Sequence, residues 1–287
     1  MEADLLKSTI RATVPRPLRN WLRSPSKSVQ WLWDASKFYL GSTETLHFPP
    51  HGNLICHPHA YRVAHQAQIA DPEQSAEFQN FLLHCSASMF LFDVGAHFGV
   101  FSLAAAQFGG KAIAIDPSPI ATRMIARQSA LNRLTENIRI MQAAVSDKAG
   151  TVDMLSSGVF SDGYFKITLG RPKSELTRIQ AITIDQLVNQ YGAPTHIKID
   201  VEGQEAAVLR GGRKAFEQHS PILFLELHTE MITSEGGDPT LALNELIQIG
   251  YETFALNGNS LERETILQKP LIRIVAKRAT RNGPLSD

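Results

Sequence analysis

From Met89 onward, short apolar runs that end in turn residues alternate with segments whose apolar residues recur every three or four positions. The short runs predict strands at Met89–Val94, Lys111–Ile115, Ile138–Val145, His196–Val201, Pro221–Leu227, Tyr251–Ala255 and Ile272–Ala276. The other segments predict helices at Gly99–Phe108, Pro119–Asn132, Glu205–His219 and Leu241–Ile249. Strand and helix in alternation imply an α/β fold, a doubly wound and mainly parallel sheet with helices on both faces. The connection over residues 146–194 carries strand-like pieces at Thr151–Leu155 and Arg178–Thr183, a Gly-rich stretch at Ser156–Gly163 and a helix near Asp185–Tyr191. It reads either as a lid or substrate wall, or as a hairpin added to the sheet edge. Upstream, Asn53–His57 and Tyr61–Ala64 read as strands and Glu73–His84 as a helix.

These patterns divide the chain into an accessory segment (1–45), a small β/α subdomain (46–88), a catalytic domain (89–279) and a tail (280–287). With 287 residues the chain is long enough for one large core and an extra segment. Lys+Arg and Asp+Glu both number 28, so no overall field selects nucleic acid or a membrane. The first 45 residues depart from that balance. Arg11, Arg16, Arg19, Arg23, Lys27 and Lys37 outweigh Glu2, Asp4 and Asp34, and Trp21, Trp31 and Trp33 all lie here. The segment reads as a contact for an anionic membrane surface or a protein partner, or as short helices, broken by Pro15, Pro17 and Pro25, that pack on the core. Cys56 and Cys85 have no metal or redox spacing and fit reduced thiols in a cytoplasmic protein. No signal peptide is expected. No apolar run approaches the roughly 18 residues of a membrane span. Nothing in the pattern fixes an oligomeric state.

The sharpest chemical signal is the turn Asp93-Val-Gly95-Ala-His97-Phe-Gly99 between the first strand and first helix. In a doubly wound sheet, ligands bind beyond the carboxyl ends of the strands. Gly95 lets the backbone bend and a ligand come close, and Gly99 lets the first helical turn do the same. The helix N-terminus offers N–H donors to a carboxylate. Asp93 is placed to face a ligand ammonium. Asp116, followed by Pro117, ends the second strand, where a carboxylate accepts hydrogen bonds from ribose hydroxyls. His97 and Val100 stand where a nicotinamide fingerprint needs its second and third glycines. The turn therefore suits a single nucleoside with an amino-acid tail. The plainer reading gives Gly95 and Gly99 to strand–helix packing and Asp116 to capping the next helix.

A second acidic edge is Lys198-Ile-Asp200-Val-Glu202-Gly. Alternation in a strand puts Lys198, Asp200 and Glu202 on one face, costly on a covered strand unless paired or at a pocket edge. The strand is expected beside the first, where the strand order reverses. Asp200, Glu202 and His228 are the candidate catalytic residues, with Glu226 beside them. The plainer alternative is a Lys198–Asp200 ion pair with Glu202 capping the next helix. Of the upstream histidines His47, His51, His57, His59 and His65, only His57 and His59 share a strand face, with no carboxylate cluster beside them. No metal site is expected there or elsewhere in the chain.

The stretch Asp93 to Ser102, Asp116-Pro117, Ala144 to Asp147 with Gly150, Ile184-Asp185-Gln-Leu187, and Ile197 to Glu205 with Val208-Leu209 and Gly211 resembles the FkbM-type methyltransferases. The resemblance runs from about Asn53 to Ala276 and leaves residues 1–45 outside. It implies a seven-stranded Rossmann-like sheet with its last strand antiparallel. It also implies S-adenosylmethionine as cofactor and methyl transfer to a hydroxyl of a natural product, sugar or lipid. The acceptor is then a small molecule or glycan and not nucleic acid. The cofactor would be held by Asp93, Gly95, His97, Gly99, Asp116 and Pro117. One position departs: His97 stands where the family commonly has Asn. Two rivals remain at this stage, a nicotinamide-dependent oxidoreductase and a catalytically silent methyltransferase fold used for binding.

Overall fold

The structure, a computed structural model, describes residues 42–65, 72–156, 165–166 and 176–279. The readings placed on residues 1–41, 157–163 and 280–287 lie outside them. Strands β1 (Glu44–His47) and β2 (Asn53–Cys56) pair antiparallel, followed by helices α1 (Pro58–Ala64) and α2 (Pro72–Leu82). The core then runs β3 (Phe90–Val94), α3 (Val100–Gln107), β4 (Lys111–Asp116), α4 (Pro119–Leu131) and β5 (Ile138–Gln142). A long excursion holds β6 (Ala144–Val145), β7 (Gly150–Ser156), β8 (Phe165–Lys166), β9 (Leu176–Ile182) and α5 (Ile184–Tyr191). The chain returns through β10 (His196–Ile199), α6 (Glu205–Gly211), α7 (Arg213–His219), β11 (Ile222–Leu227) and α8 (Thr229–Ser234). It ends in α9 (Thr240–Gln248), β12 (Tyr251–Phe254), α10 (Arg263–Leu267) and β13 (Ile272–Arg278).

The central sheet has seven strands in the order β12-β13-β11-β10-β3-β4-β5. All neighbours are parallel except β13, which is antiparallel to both β11 and β12. The order reverses between β3 and β10, so the crevice at their carboxyl ends is the place for a ligand. Alternation along β3 shows how the sheet is buried twice. Leu91 enters an apolar cluster with α2, α3 and the β1–β2 hairpin, while Phe92 enters the cluster on the opposite face.

The structure corrects four local readings. Tyr61–Ala64 is helical, not a strand: Pro58 opens the helix, and Ala60, Val63 and Ala64 bury a helical stripe. A four-residue apolar run carries too little periodicity to separate the two. The expected strand Ile138–Val145 breaks at Ala143, whose N–H turns to the carbonyl of Asp116 at 3.2 Å. Ala144–Val145 then pairs with Ala181–Ile182 in a separate four-stranded sheet, β6-β9-β7-β8. The predicted helix Glu205–His219 is two helices that meet at Gly212. A side chain on Gly211 would fall 2.1 Å from the carbonyl of Ser146, so this corner packs backbone against backbone. The strand expected over His196–Val201 stops at Ile199, and Glu202 sits in the following turn with φ 51°. Glu202 therefore does not share a strand face with Lys198, and its position at the crevice comes from the turn. Cys56 and Cys85 are unpaired thiols, both pushed up to about 12 by burial. Among the described residues no helix is long and apolar enough to cross a membrane.

Candidate functional site

The turn after β3 is built by backbone bonds to its neighbour. The N–H groups of Gly95 and Ala96 both reach the carbonyl of Ile115, at 2.9 and 3.1 Å. Gly95 has φ 78°, and a Cβ there would lie 1.7 Å from the carbonyl oxygen of Asp200. The bend thus lies directly against the end of β10, and only glycine leaves room for it. His97 adopts φ 48° and donates its N–H to Asp116 Oδ2 at 2.8 Å. Ser118 donates its N–H to Asp116 Oδ1, also at 2.8 Å. One carboxylate therefore ties the bend after β3 to the start of α4. A carboxylate has about four acceptor positions, so roughly two remain for a ligand. Burial pushes Asp116 up to about 6, against the opposing pull of His97 and the two backbone N–H groups.

Gly95, His97, Asp116 and Pro117 line one side of a cavity at the carboxyl ends of the strands. Val94, Ile115, Ala143, Val145 and Met154 give it apolar walls. Asp200, Glu202 and Glu226 line the other side, and Val63 of α1 and Gln74 of α2 close it from the N-terminal subdomain. Asp93 and Gly99 stand behind this surface. Asp93 is 1% exposed and accepts hydrogen bonds from the N–H and hydroxyl of Ser102, the latter at 2.6 Å. Burial raises it to about 6. It anchors the first turn of α3 and does not face the cavity. Gly99 begins α3 with φ 71°, and a Cβ there would meet Ile125 of α4 at 2.8 Å. Of the cofactor-binding candidates, four line the cavity and these two brace it.

The acidic side rests on a buried ion network. Lys198 Nζ lies 3.1 Å from Glu77 Oε1 on α2 and 3.5 Å from Glu226 Oε2 on β11. Arg273 on β13 grips Glu226 with Nε at 3.1 Å and Nη2 at 2.7 Å. Burial works against the Lys198 charge, but Glu77, Asp200 and Glu226 outweigh it, and the ammonium is held well above its ordinary range. In place of the Lys198–Asp200 pair that was the plainer alternative, the lysine is shared between two other carboxylates.

His228 closes the edge. Its Nδ1 meets Glu205 Oε1 at 2.8 Å, and Nε2 stands 3.9 Å from Asp200 Oδ1 and 3.8 Å from Glu226 Oε1. Burial lowers its pKa, but the hydrogen bond to Glu205 and the charges of Asp200, Glu205 and Glu226 prevail and lift it to about 9. On the acid Glu202 burial acts the other way and raises the pKa, opposed by His228. Sequence reasoning brought Asp200, Glu202, Glu226 and His228 together, but missed Glu205, Glu77 and Arg273. A charge set among apolar neighbours in each of three strands, Lys198, Glu226 and Arg273, was the available signal.

The methyltransferase FkbM domain family matches residues 93–253. Among solved structures, the methyltransferase FkbM from Methylobacillus flagellatus is 19% identical over 67% of this chain and 44% of its own, with a TM-score of 0.45. The chain therefore spans less than half the length of that protein. Precorrin-6y C5,15-methyltransferase from Geobacter metallireducens is 11% identical over 75% of this chain and 92% of its own, with a TM-score of 0.43. A TehB-like SAM-dependent methyltransferase from Corynebacterium glutamicum is 10% identical over 71% and 88%, with a TM-score of 0.38. No curated protein matches the chain.

Proposed function

Because the chain belongs to the FkbM methyltransferase domain family, we propose that it is an S-adenosylmethionine-dependent methyltransferase acting on a hydroxyl of a sugar, lipid or natural product. The observation that carries this reading is the Asp116 carboxylate, bonded to the bend at His97 while facing the cavity. The donor set fits such a cofactor in three respects. Asp116 offers acceptors to ribose hydroxyls, Ile115, Ala143 and Val145 offer apolar surface to an adenine, and Asp200, Glu202 and Glu226 offer negative charge to a cation. Bound S-adenosylmethionine supplies a methyl group activated on a positively charged sulfur.

The chain's own contribution is placement and proton handling. Gly95 and the turn 200–203 fix the floor of the cavity, so that an acceptor is held in line rather than found by collision. Glu202, which lines the cavity and whose pKa burial raises, is the group that takes the proton of the acceptor hydroxyl. Asp200 lines the cavity beside it, and His228, lifted to about 9, is charged at neutral pH and stands behind them. Glu205 orients His228 so that Nε2 points toward Asp200 and Glu226. A small-molecule or glycan acceptor and a cytoplasmic setting, consistent with two unpaired thiols, belong to the same proposal.

Calorimetry with S-adenosylhomocysteine tests the cofactor reading, with NAD as the contrasting ligand. Wild-type protein binds S-adenosylhomocysteine and not NAD. Asp116→Ala weakens the binding by about 1–3 kcal/mol, or roughly 5- to 150-fold, because donors that the carboxylate served are left unpaired. Unchanged affinity in Asp116→Ala removes Asp116 from the site. Tight NAD binding without S-adenosylhomocysteine binding replaces the reading altogether.

The same titration carries a pH signature. Asp116 titrates near 6 in the free chain, and only its ionised form accepts at both oxygens. Protonation below that value removes acceptor positions, so affinity falls by about tenfold between pH 7 and pH 5. Most of this dependence disappears in Asp116→Asn. A flat profile in wild-type protein contradicts the role given to the carboxylate.

A further inference from the structure

Beside the expected cofactor cavity lies a group of side chains that proton handling alone does not explain. Asp200, Glu226 and His228 each present one ligand atom, and the three atoms lie within 4.8 Å of one another. Glu226 lies near the end of one strand, and His228 and Asp200 directly follow that strand and its neighbour, so the sheet itself holds their spacing.

The triangle has edges of 3.9 Å, from His228 Nε2 to Asp200 Oδ1, and 3.8 Å, from Nε2 to Glu226 Oε1. Both are beyond hydrogen-bond range. With its third edge no longer than 4.8 Å, the centre of such a triangle lies about 2.2–2.5 Å from each corner, near the bond lengths of divalent cations to oxygen and imidazole nitrogen. The histidine is also oriented as a ligand, one whose Nε2 proton a binding cation displaces. Nδ1 is fixed by the Glu205 carboxylate at 2.8 Å, which directs Nε2 to the centre of the group.

The charge around this point is unbalanced. Glu205 is fully buried, its Oε1 serves both His228 and the N–H of Gly203, and its Oε2 has no hydrogen-bond partner. Glu205 sits on the Nδ1 side of the ring, across from the centre of the triangle, and adds its negative charge to the site through His228. Asp200, Glu202, Glu205 and Glu226 surround His228, while the fixed cations Lys198 and Arg273 contact Glu226 and are shared with Glu77. Arg273 takes one lone pair of Glu226 Oε1 at 2.7 Å and leaves the other for a second cation.

We propose that Asp200, Glu226 and His228 bind one divalent cation, of the Mg2+ or Mn2+ type, which holds and polarises the hydroxyl oxygen of the methyl acceptor. Two carboxylates with one imidazole favour this type over thiophilic metals. The side chain of Asp200 is 31% exposed, which leaves coordination positions open to the cavity. The proposal rests on the methyltransferase reading for its purpose, though not for its geometry.

The test uses full-length protein stripped with EDTA and titrated with Mn2+, with free Mn2+ read by electron paramagnetic resonance. One Mn2+ binds per chain, and binding is at least tenfold weaker in Asp200→Asn and in His228→Ala. Asp200→Asn keeps the shape of the side chain, and circular dichroism confirms that each variant is folded. Less than half an equivalent of Mn2+ bound to wild-type protein at 1 mM overturns the site, as does wild-type affinity in both folded variants. Calorimetry with S-adenosylhomocysteine on the same samples separates the two proposals. Nucleoside binding without Mn2+ binding removes the cation site alone. Mn2+ binding lost in the variants, without nucleoside binding, sustains the site and removes the methyltransferase reading.

Discussion

Lys198→Ala lowers the melting temperature by about 10 °C. The lysine is 2% exposed and, among the described residues, shares Glu77 with Arg273, which sits 3.7 Å from the other oxygen of Glu77. Its removal leaves two carboxylates, Glu77 and Glu226, to share one guanidinium in the interior. Breaking a buried pair from one side costs about 3–5 kcal/mol, because the partner's charge stays buried without compensation. For a chain of this size each kcal/mol shifts the melting temperature by roughly 2–4 °C. The ammonium also stands 5.3 Å from the ring of Phe101, a smaller contribution lost with it. Circular dichroism melts at fixed protein concentration give the number. A triple replacement, Lys198→Met with Glu77→Gln and Glu226→Gln, recovers most of the loss, since no buried charge is then orphaned. A shift under 2 °C in Lys198→Ala shows that the network contributes no stability.

This network also marks how far the sequence can be read. The alternation of apolar runs located every strand of the central sheet, because buried parallel strands are continuous apolar segments between turn residues. Charges at Lys198, Glu226 and Arg273 were visible among the apolar residues of those runs. Their pairing was not, since it depends on strand order: β13 enters beside β11 and sets Arg273 opposite Glu226 in register. Glu77 was hidden differently. Its helix, Pro72–Leu82, carries polar residues on several sides, and nothing in the chain says that Ser75 and Glu77 face inward. Glu205 reads as an ordinary acid in the first turn of a helix. Only the fold brings His228 within 2.8 Å of it.

The bend and the acid were legible because both are local. Gly95 and Asp116 each sit at a strand end, and parallel neighbours bring two such ends together. The alternatives weighed against them turn out to be partly compatible. Asp116 does bond the N–H of Ser118 at the start of a helix, yet it also holds His97 and faces the cavity. Gly99 does serve helix packing, against Ile125. Glu202 was placed at the crevice for the wrong reason. Its strand ends three residues earlier, and a left-handed turn carries it there.

Gly95→Ala abolishes binding of S-adenosylhomocysteine, with an affinity loss of about 100-fold or more. Two effects combine. The φ of 78° costs a β-carbon about 1–2 kcal/mol by itself. The larger effect is the backbone carbonyl of Asp200, 1.7 Å from where that carbon must sit. The two strand ends must part by more than an ångström, which displaces the bend, the turn 200–203 and every group both carry. Misplacement on that scale costs about 100-fold where geometry is decisive. Gly258→Ala separates the two effects: its φ is 87°, but nothing lies within 4 Å of the added carbon. That variant bears the conformational strain alone and keeps wild-type affinity for the nucleoside. If calorimetry finds Gly95→Ala folded and binding like wild type, the crevice between β3 and β10 is not where the cofactor lies.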